Sequence, residues 1–326
     1  MALHDGKVPY VVVMGGSNID FRSRLRGPVV MGTSNPAVTA KSAGGVGRNV
    51  AENLARMGVR TELITSLGGD ANATWLRVET EAGGVGLAHA VVTGEDTGTY
   101  NAILDETGDL VVAAASMPSE SWLTANAIHA RAPLISSAAM LVLDCNISEE
   151  AMVHAAGIAN AAGIPVLIDP VGVQKAVRLL AVLDAGLHVH TVTPNVAELG
   201  ALSARHSLGV EPATMQQAVD QLHDRGTQHV WTRLGANGSV FSSRAGEAPH
   251  VESLRACPAL LVDATGAGDA MLAGYIAGLL CGLGPLAAAR WGRAAAGITM
   301  ESNRAVNPSM NLDALRARAA ACDACD

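Results

Sequence analysis

Short runs of Val, Ile and Leu return again and again between longer stretches of helical spacing, and this alternation limits what the chain can become. Runs at 10–14, 61–66, 139–145, 164–168, 189–193 and 229–233 have strand length, while 47–57, 149–162, 213–225, 266–282 and 286–300 carry helical patterns. Strands that alternate with helices pair in parallel, because each crossover must travel back over a face of the sheet. The expected fold class is therefore α/β, a doubly wound, mostly parallel sheet flanked by helices. Its 326 residues suit a single domain spanning 1–326. Aromatic residues make up only 3% of the chain and glycine contributes 35 positions, so small side chains must let helices lie close against the sheet. Two stretches, 28–40 and 98–115, break the alternation. In the second, Thr99–Leu104 and Leu110–Ala113 flank the turn-rich Asp105–Asp109 and read as a hairpin.

A formal charge of −8 argues against a nucleic-acid polymer as partner, since phosphate backbones are held by Lys and Arg. A small substrate is expected instead. Arg22, Arg24 and Arg26 form one local basic cluster, read as a solvated loop or an edge strand. The five cysteines are scattered, and no signal peptide precedes Tyr10–Met14, which suggests a reducing compartment and a cytoplasmic protein. Cys322-x-x-Cys325 has metal-ligand spacing but no second pair, so it is read as incidental, with no zinc. Residues 270–289 lack charge, yet glycines and Pro285 interrupt them and a membrane span is not expected. Gly274, Gly278 and Gly282 fall four apart, a stripe expected to press a helix against its sheet.

The segment Asp263-Ala264-Thr265-Gly266-Ala267-Gly268-Asp269-Ala270-Met271 places glycines and a carboxylate at the start of a long apolar helix. A turn built on Gly266 and Gly268 can aim the N–H groups of Gly266, Ala267 and Gly268 at one point, where the helix dipole also favours an anion. Asp269 in the first helical turn could accept a proton from a hydroxyl attacking a phosphoryl group seated there. Taken alone, the same residues also read as a tight turn followed by an acidic residue suited to a helix start.

This segment resembles the second signature of the ribokinase or PfkB-type family of sugar and nucleoside kinases, Asp-Thr-x-Gly-Ala-Gly-Asp-x-Phe, with Ala264 and Met271 as departures. Gly44-Gly45-Val46-Gly47-Arg48-Asn49 resembles the first signature. It is neither a P-loop nor a dinucleotide fingerprint, as no Gly-Lys-Ser/Thr follows and the glycine spacing differs. The resemblance implies a ribokinase-like fold with a small β lid at 28–40 and 98–115. It assigns Gly44, Gly45 and Asn49 to the substrate's sugar, together with Asn18 and Asp20 after the first strand, and Tyr100 to the lid. Asn195 and Glu198 match the family's Asn-x-x-Glu motif, which orients Mg2+ and phosphate through water. Thr232, Gly235 and Gly238 resemble the nucleotide edge for ATP. Asp263 and Thr265 could contribute to a monovalent-cation site for K+, as in some members.

One departure stands out. Many sugar-acid kinases of the family carry Asp-x-Asn-x-Arg where this chain has Asp169-Pro170-Val171-Gly172-Val173, so the arginine facing the transferring phosphoryl is missing, and Lys175 is the nearest replacement. Ser34-Asn35-Pro36, Asp144-Cys145-Asn146 and Asp169-Pro170-Val171 make the likeness strongest to a nucleoside-phosphorylating branch. There Asn146 stands where ribokinase-like members often have a Glu; its amide both donates and accepts, which suits a base bearing donors and carbonyls. The expectation is an ATP- and Mg2+-dependent kinase acting on a nucleoside 5'-hydroxyl, with Asp269 as base and a homodimer through the lid within reach. A kinase of ribose, another nucleoside or a keto-deoxy sugar acid is the nearest alternative, and a non-catalytic nucleoside or sugar sensor is the alternative of a different class.

Overall fold

The structure, a computed structural model, describes residues 9–203, 212–244, 250–257 and 260–324. Its strands are, in chain order, β1 (Tyr10–Met14), β2 (Asn18–Leu25), β3 (Ala37–Gly44), β4 (Arg60–Ile64), β5 (Ser66–Leu67), β6 (Val91–Val92) and β7 (Thr99–Leu104). They continue with β8 (Leu110–Ser116), β9 (Met140–Asp144), β10 (Val166–Asp169), β11 (Val189–Val192), β12 (Thr227–Arg233), β13 (Ser239–Ser243) and β14 (His250–Leu254). The main sheet runs β14-β13-β12-β11-β10-β9-β1-β4, parallel except for the antiparallel pairs β12–β13 and β13–β14.

Both faces of this sheet are buried. Val11, Val13, Val142, Leu167 and Trp231 pack with the helices Val46–Arg56, Ala267–Leu280 and Pro285–Met300, while Val12, Met14, Leu141, Leu143 and Ile168 pack with Glu149–Ala161 on the other side. Each such side chain contributes about 1.5–3 kcal/mol by leaving water. That double burial is why the strands read as unbroken apolar runs. From β1 the chain crosses to β4 on one side and later to β9 on the other, so the carboxyl ends of β1 and β9 flank a topological switch point, where open α/β sheets bind ligands.

A separate four-stranded sheet, ordered β3-β2-β7-β8, holds the strands expected to serve as a lid. Its first half is not where the sequence placed it: residues 28–36 form the connection, and the strands are β2 and β3 on either side. Asn18 and Asp20 open β2, and Arg22 and Arg24 of the basic cluster sit on that interior strand rather than on a loop or edge, with Arg26 just past its end. The second half, β7 and β8, lies within the expected hairpin apart from one residue.

Two further expectations change. The glycine stripe faces a helix and not the sheet: a Cβ on Gly274 would stand 2.7 Å from Ala295 Cβ, and one on Gly278 would stand 2.9 Å from Ala288 Cα, so the stripe lets Ala267–Leu280 and Pro285–Met300 touch backbone to backbone. Nor do the cysteines all stay free, as the reducing-compartment reading expects: Cys322 is paired. Its sulfur is bonded to that of Cys257, fixing the final helix Leu312–Asp323 to the segment after β14, while Cys145 and Cys281 are free; Cys325 lies outside the described residues. Among the described residues no helix is long and apolar enough to cross a membrane.

Candidate active site

Three chain segments meet over the switch point, and a buried carboxylate ties them together. Asp144, at the end of β9, accepts hydrogen bonds from the backbone N–H of Gly16 after β1 (2.9 Å), of Gly47 at the start of the helix Val46–Arg56 (2.7 Å) and of Asn146 (2.9 Å), and from the Asn146 side-chain amide (3.0 Å). Burial pushes its carboxyl up, and the four donors oppose that shift. No motif in the sequence marks Asp144 for this role. Its position right after a buried strand and two residues before Asn146 was the available signal.

The residues expected to grip a sugar are together. Asn18 donates to Asp20 at 2.6 Å. Gly44 lies so close that a Cβ there would stand 2.4 Å from Asp20 Oδ2, which explains the glycine. Tyr100 on β7 pairs in register with Asp20 on β2, and Gly44, which ends β3, pairs with Asn18 on the other edge of β2. Asn49, one turn into its helix, donates its amide to Asp269 Oδ2 at 2.9 Å, joining the sugar side to the proposed base.

Asp269 sits in the first turn of the helix Ala267–Leu280, whose N-cap is Gly266 at φ 79°, a left-handed conformation that favours glycine. Its carboxyl is 8% exposed and its pKa is raised from 3.8 to about 7, first by burial and next by the like charge of Asp169, against the Asn49 hydrogen bond and the Arg233 charge. A carboxyl poised there can exchange a proton at neutral pH.

The cation beside it is not Lys175. That ammonium donates to Asn146 Oδ1, on the nucleoside side, because the short helix Val173–Ala176 points it toward the end of β9. Arg233 takes the expected position instead: its guanidinium reaches Glu198 at 3.0 Å and Asp169 at 3.4 Å, and a Cβ on Gly268 would stand 2.1 Å from its Nη1. Burial alone would weaken its charge, but the carboxylates of Asp169, Glu198 and Asp269 outweigh that and hold it firmly protonated. In the sequence Arg233 is just one residue of a strand end, next to Thr232, with nothing local to show that it reaches the carboxylates.

The residues expected on the nucleotide side lie at the end of β12 and at the start of the helix Val196–Leu202. Thr232, at the end of β12, is buried, and its hydroxyl has no hydrogen-bond partner in the protein. Gly238 is explained by packing, since a Cβ would stand 2.1 Å from the Leu254 carbonyl oxygen. Gly235 opens the turn after β12. Asn195 and Glu198 form a reciprocal capping box, Asn195 Oδ1 accepting from the Glu198 N–H (2.9 Å) and Glu198 Oε2 from the Asn195 N–H (2.8 Å). Arg233 donates to that same oxygen, so Glu198 Oε2 is already engaged by the protein. Among the described residues no group of three or more His, Cys, Asp or Glu side chains gathers to cage a metal, as suits an ion that arrives on a nucleotide and keeps its own waters. Asp263 fits a free monovalent cation poorly: Oδ1 accepts from the Thr265 N–H at 2.8 Å and Oδ2 is held by Arg22 at 2.9 Å.

The pattern of the pfkB family carbohydrate kinases matches residues 8–311. The chain belongs to the PfkB family. This PfkB-family chain is 31% identical over 304 residues to the pseudouridine kinase of Escherichia coli strain K12, covering 93% of this chain and 94% of that protein. It is 26% identical to the pseudouridine kinase of Arabidopsis thaliana, covering 93% of each. A solved ribokinase of Arabidopsis thaliana, complexed with ribose and ATP, superposes with a TM-score of 0.79 over 96% of this chain and 99% of the other at 24% identity, which shows a ribokinase-like fold. As a PfkB-family kinase the chain is a phosphotransferase with an alcohol acceptor, acting on a sugar or nucleoside.

Proposed function

We propose that this kinase transfers the γ-phosphoryl group of ATP to the 5'-hydroxyl of pseudouridine. The observation that carries the chemistry is Asp269: a buried carboxyl with a pKa near 7, fixed by Asn49 on the sugar side and flanked by the Gly266–Gly268 turn and Arg233 on the phosphate side. The substrate rests on likeness to pseudouridine kinases from a bacterium and a plant, each along nearly the whole chain. The Asp144–Asn146–Lys175 chain supports it, because Asn146 and Lys175 offer hydrogen-bond donors where a base with two carbonyls would lie.

In this reading Asn18, Asp20, Gly44, Gly45 and Asn49 hold the ribose, and the lid strand bearing Tyr100 covers it and excludes water. The 5'-hydroxyl gives its proton to the Asp269 carboxylate as its oxygen forms the bond to phosphorus and the bond to the ADP oxygen breaks. The N–H groups of Gly266, Ala267 and Gly268 and the Arg233 guanidinium meet the charge on the transferring group. Asn195 and Glu198 would orient Mg2+ arriving with the nucleotide, and the ion would supply positive charge against the phosphates. We read residues 1–326 as one catalytic domain with an inserted lid, working in the cytoplasm where ATP is abundant. The exposed Val38, Leu110 and Val112 on the two outer lid strands suit contact with a second copy, which sedimentation equilibrium would test.

A coupled ADP-release assay with ATP and Mg2+ against pseudouridine, uridine, ribose and a keto-deoxy sugar acid tests the assignment. Turnover on pseudouridine far above the other three is expected. Preference for another acceptor would discard the substrate and keep the kinase, and silence on all four would favour a nucleoside sensor.

A further inference from the structure

One ion pair joins two parts of the site that differ in purpose. Arg22 lies on β2 two residues beyond Asp20, and alternation along a strand puts Asn18, Asp20 and Arg22 on one face of the lid. Arg22 Nη1 reaches across to Asp263 Oδ2 at 2.9 Å, and the other oxygen of Asp263 accepts the Thr265 N–H at 2.8 Å. Asp263 thereby braces the turn that leads into Gly266, and the strand that grips the sugar braces Asp263. Both oxygens are engaged, and a guanidinium already supplies the positive charge that a bound alkali-metal ion would bring to this carboxylate.

We propose that Arg22 is a positioning residue for phosphoryl transfer: a cation built into the lid that holds the Asp263–Gly266 turn in place of a free monovalent cation. The consequence is that the lid seated over the nucleoside and the N–H groups aimed at the phosphoryl are aligned by one contact. This inference rests on the kinase reading above for its effect on turnover, though not for its effect on the turn itself. A planar, permanently charged fork suits the task, because it binds a carboxylate directionally without needing the coordination shell an alkali-metal ion would need.

The test compares the wild type with Arg22→Gln and Arg22→Lys, each in K+ and in choline at equal ionic strength. Two readouts are taken: turnover with the preferred acceptor, and hydrogen–deuterium exchange of the backbone N–H groups from 263 to 268. For the wild type, turnover should change by less than about twofold between the two salts. For Arg22→Gln, kcat should fall by about tenfold or more with the acceptor KM little changed, since the defect is one of alignment. Its 263–268 amides should exchange faster, and K+ should restore both measurements in part by entering beside the vacated Asp263 carboxylate. Arg22→Lys keeps the charge and should fall between the two. Strong K+ activation of the wild type, or unchanged exchange in Arg22→Gln, would overturn the proposal. If the wild type phosphorylates none of the acceptors, the kinase reading fails, and the exchange measurement still decides whether Arg22 holds the turn.

Discussion

Replacing Asp269 by Asn should remove activity and, at alkaline pH, add stability. The folded chain raises the pKa of this carboxyl from 3.8 to about 7, chiefly by burial. The folded state therefore binds the proton more tightly than the unfolded chain does, and stability is lost as pH rises from the unfolded value through the folded one. At about 1.4 kcal/mol for each pKa unit, keeping Asp269 ionised costs the native state about 4 kcal/mol well above pH 7 and about 1.7 kcal/mol near pH 5. Asn at 269 never ionises, and its carbonyl oxygen can still accept from Asn49, but its NH2 group enters a buried site without a partner of its own, a penalty of about 1.5 kcal/mol. The variant should then match the wild type near pH 5 and exceed it by about 3 kcal/mol near pH 8.5. Urea unfolding of both proteins at the two pH values measures this directly. A difference that does not change with pH would refute the claim that the buried ionised carboxylate is what strains this site. In the ADP-release assay the same variant should lose about 10²–10⁴-fold in kcat, the usual contribution of a positioned base.

If Asp269 must be ionised to act, kcat/KM for the acceptor should climb about tenfold per pH unit below pH 7 and level off above it; a profile already flat at pH 6 would exclude it as the base. Arg233→Met leaves the buried Asp169 and Glu198 carboxylates without their cation, so unfolding free energy should drop by about 3–5 kcal/mol. In whatever folds, the pH midpoint of kcat/KM should move upward, because Arg233 is one of the groups holding the Asp269 pKa down; an unmoved midpoint would mean that the guanidinium does not act on Asp269. Gly266→Ala forces a left-handed conformation on a residue with a Cβ, a strain of about 1–2 kcal/mol. That Cβ would also stand 2.0 Å from the Ala305 carbonyl oxygen, so the turn must shift. Turnover should fall by about 10²-fold with far-ultraviolet circular dichroism unchanged, and activity near wild type would show that the turn's geometry is not needed.

The main sheet was legible in the sequence because burial on both faces leaves a one-dimensional trace: a strand such as Val11-Val12-Val13 has no polar side to hide its period. The lid was harder for the opposite reason. Asn-Ile-Asp-Phe-Arg-Ser-Arg-Leu in β2 alternates polar residues with Ile19 and Phe21, which join a thin packing layer, so its polar face breaks the apolar run and it reads as a charge cluster on a loop or edge. The disulfide was illegible in a different way. Cys322 has Cys325 as a tempting neighbour in sequence, while its partner Cys257 is 65 residues away and is brought near only by the packing of the last helix.

The site shows the same division, and its glycines show where the division lies. A glycine announces that something comes close, without saying what. Gly44 admits the Asp20 carboxylate, from a strand earlier in the chain, and Gly268 admits the Arg233 guanidinium, from the end of β12. The sequence displays both glycines inside motifs, so their neighbourhood was readable as a place of close approach. The identity of the approaching group was not, since Asp169, Glu198 and Arg233 belong to three strand ends or helix starts that meet only when the sheet forms. For this reason the missing arginine after Asp169 was sought a few residues away, at Lys175, although the fold delivers the charge from two strands over. A charge required at a point in space can be supplied by any strand whose carboxyl end reaches that point. In a parallel sheet, where all these ends open on one edge, the substitute for a lost catalytic side chain is better sought on strands that end nearby in space, here two over from Asp169, than along the sequence.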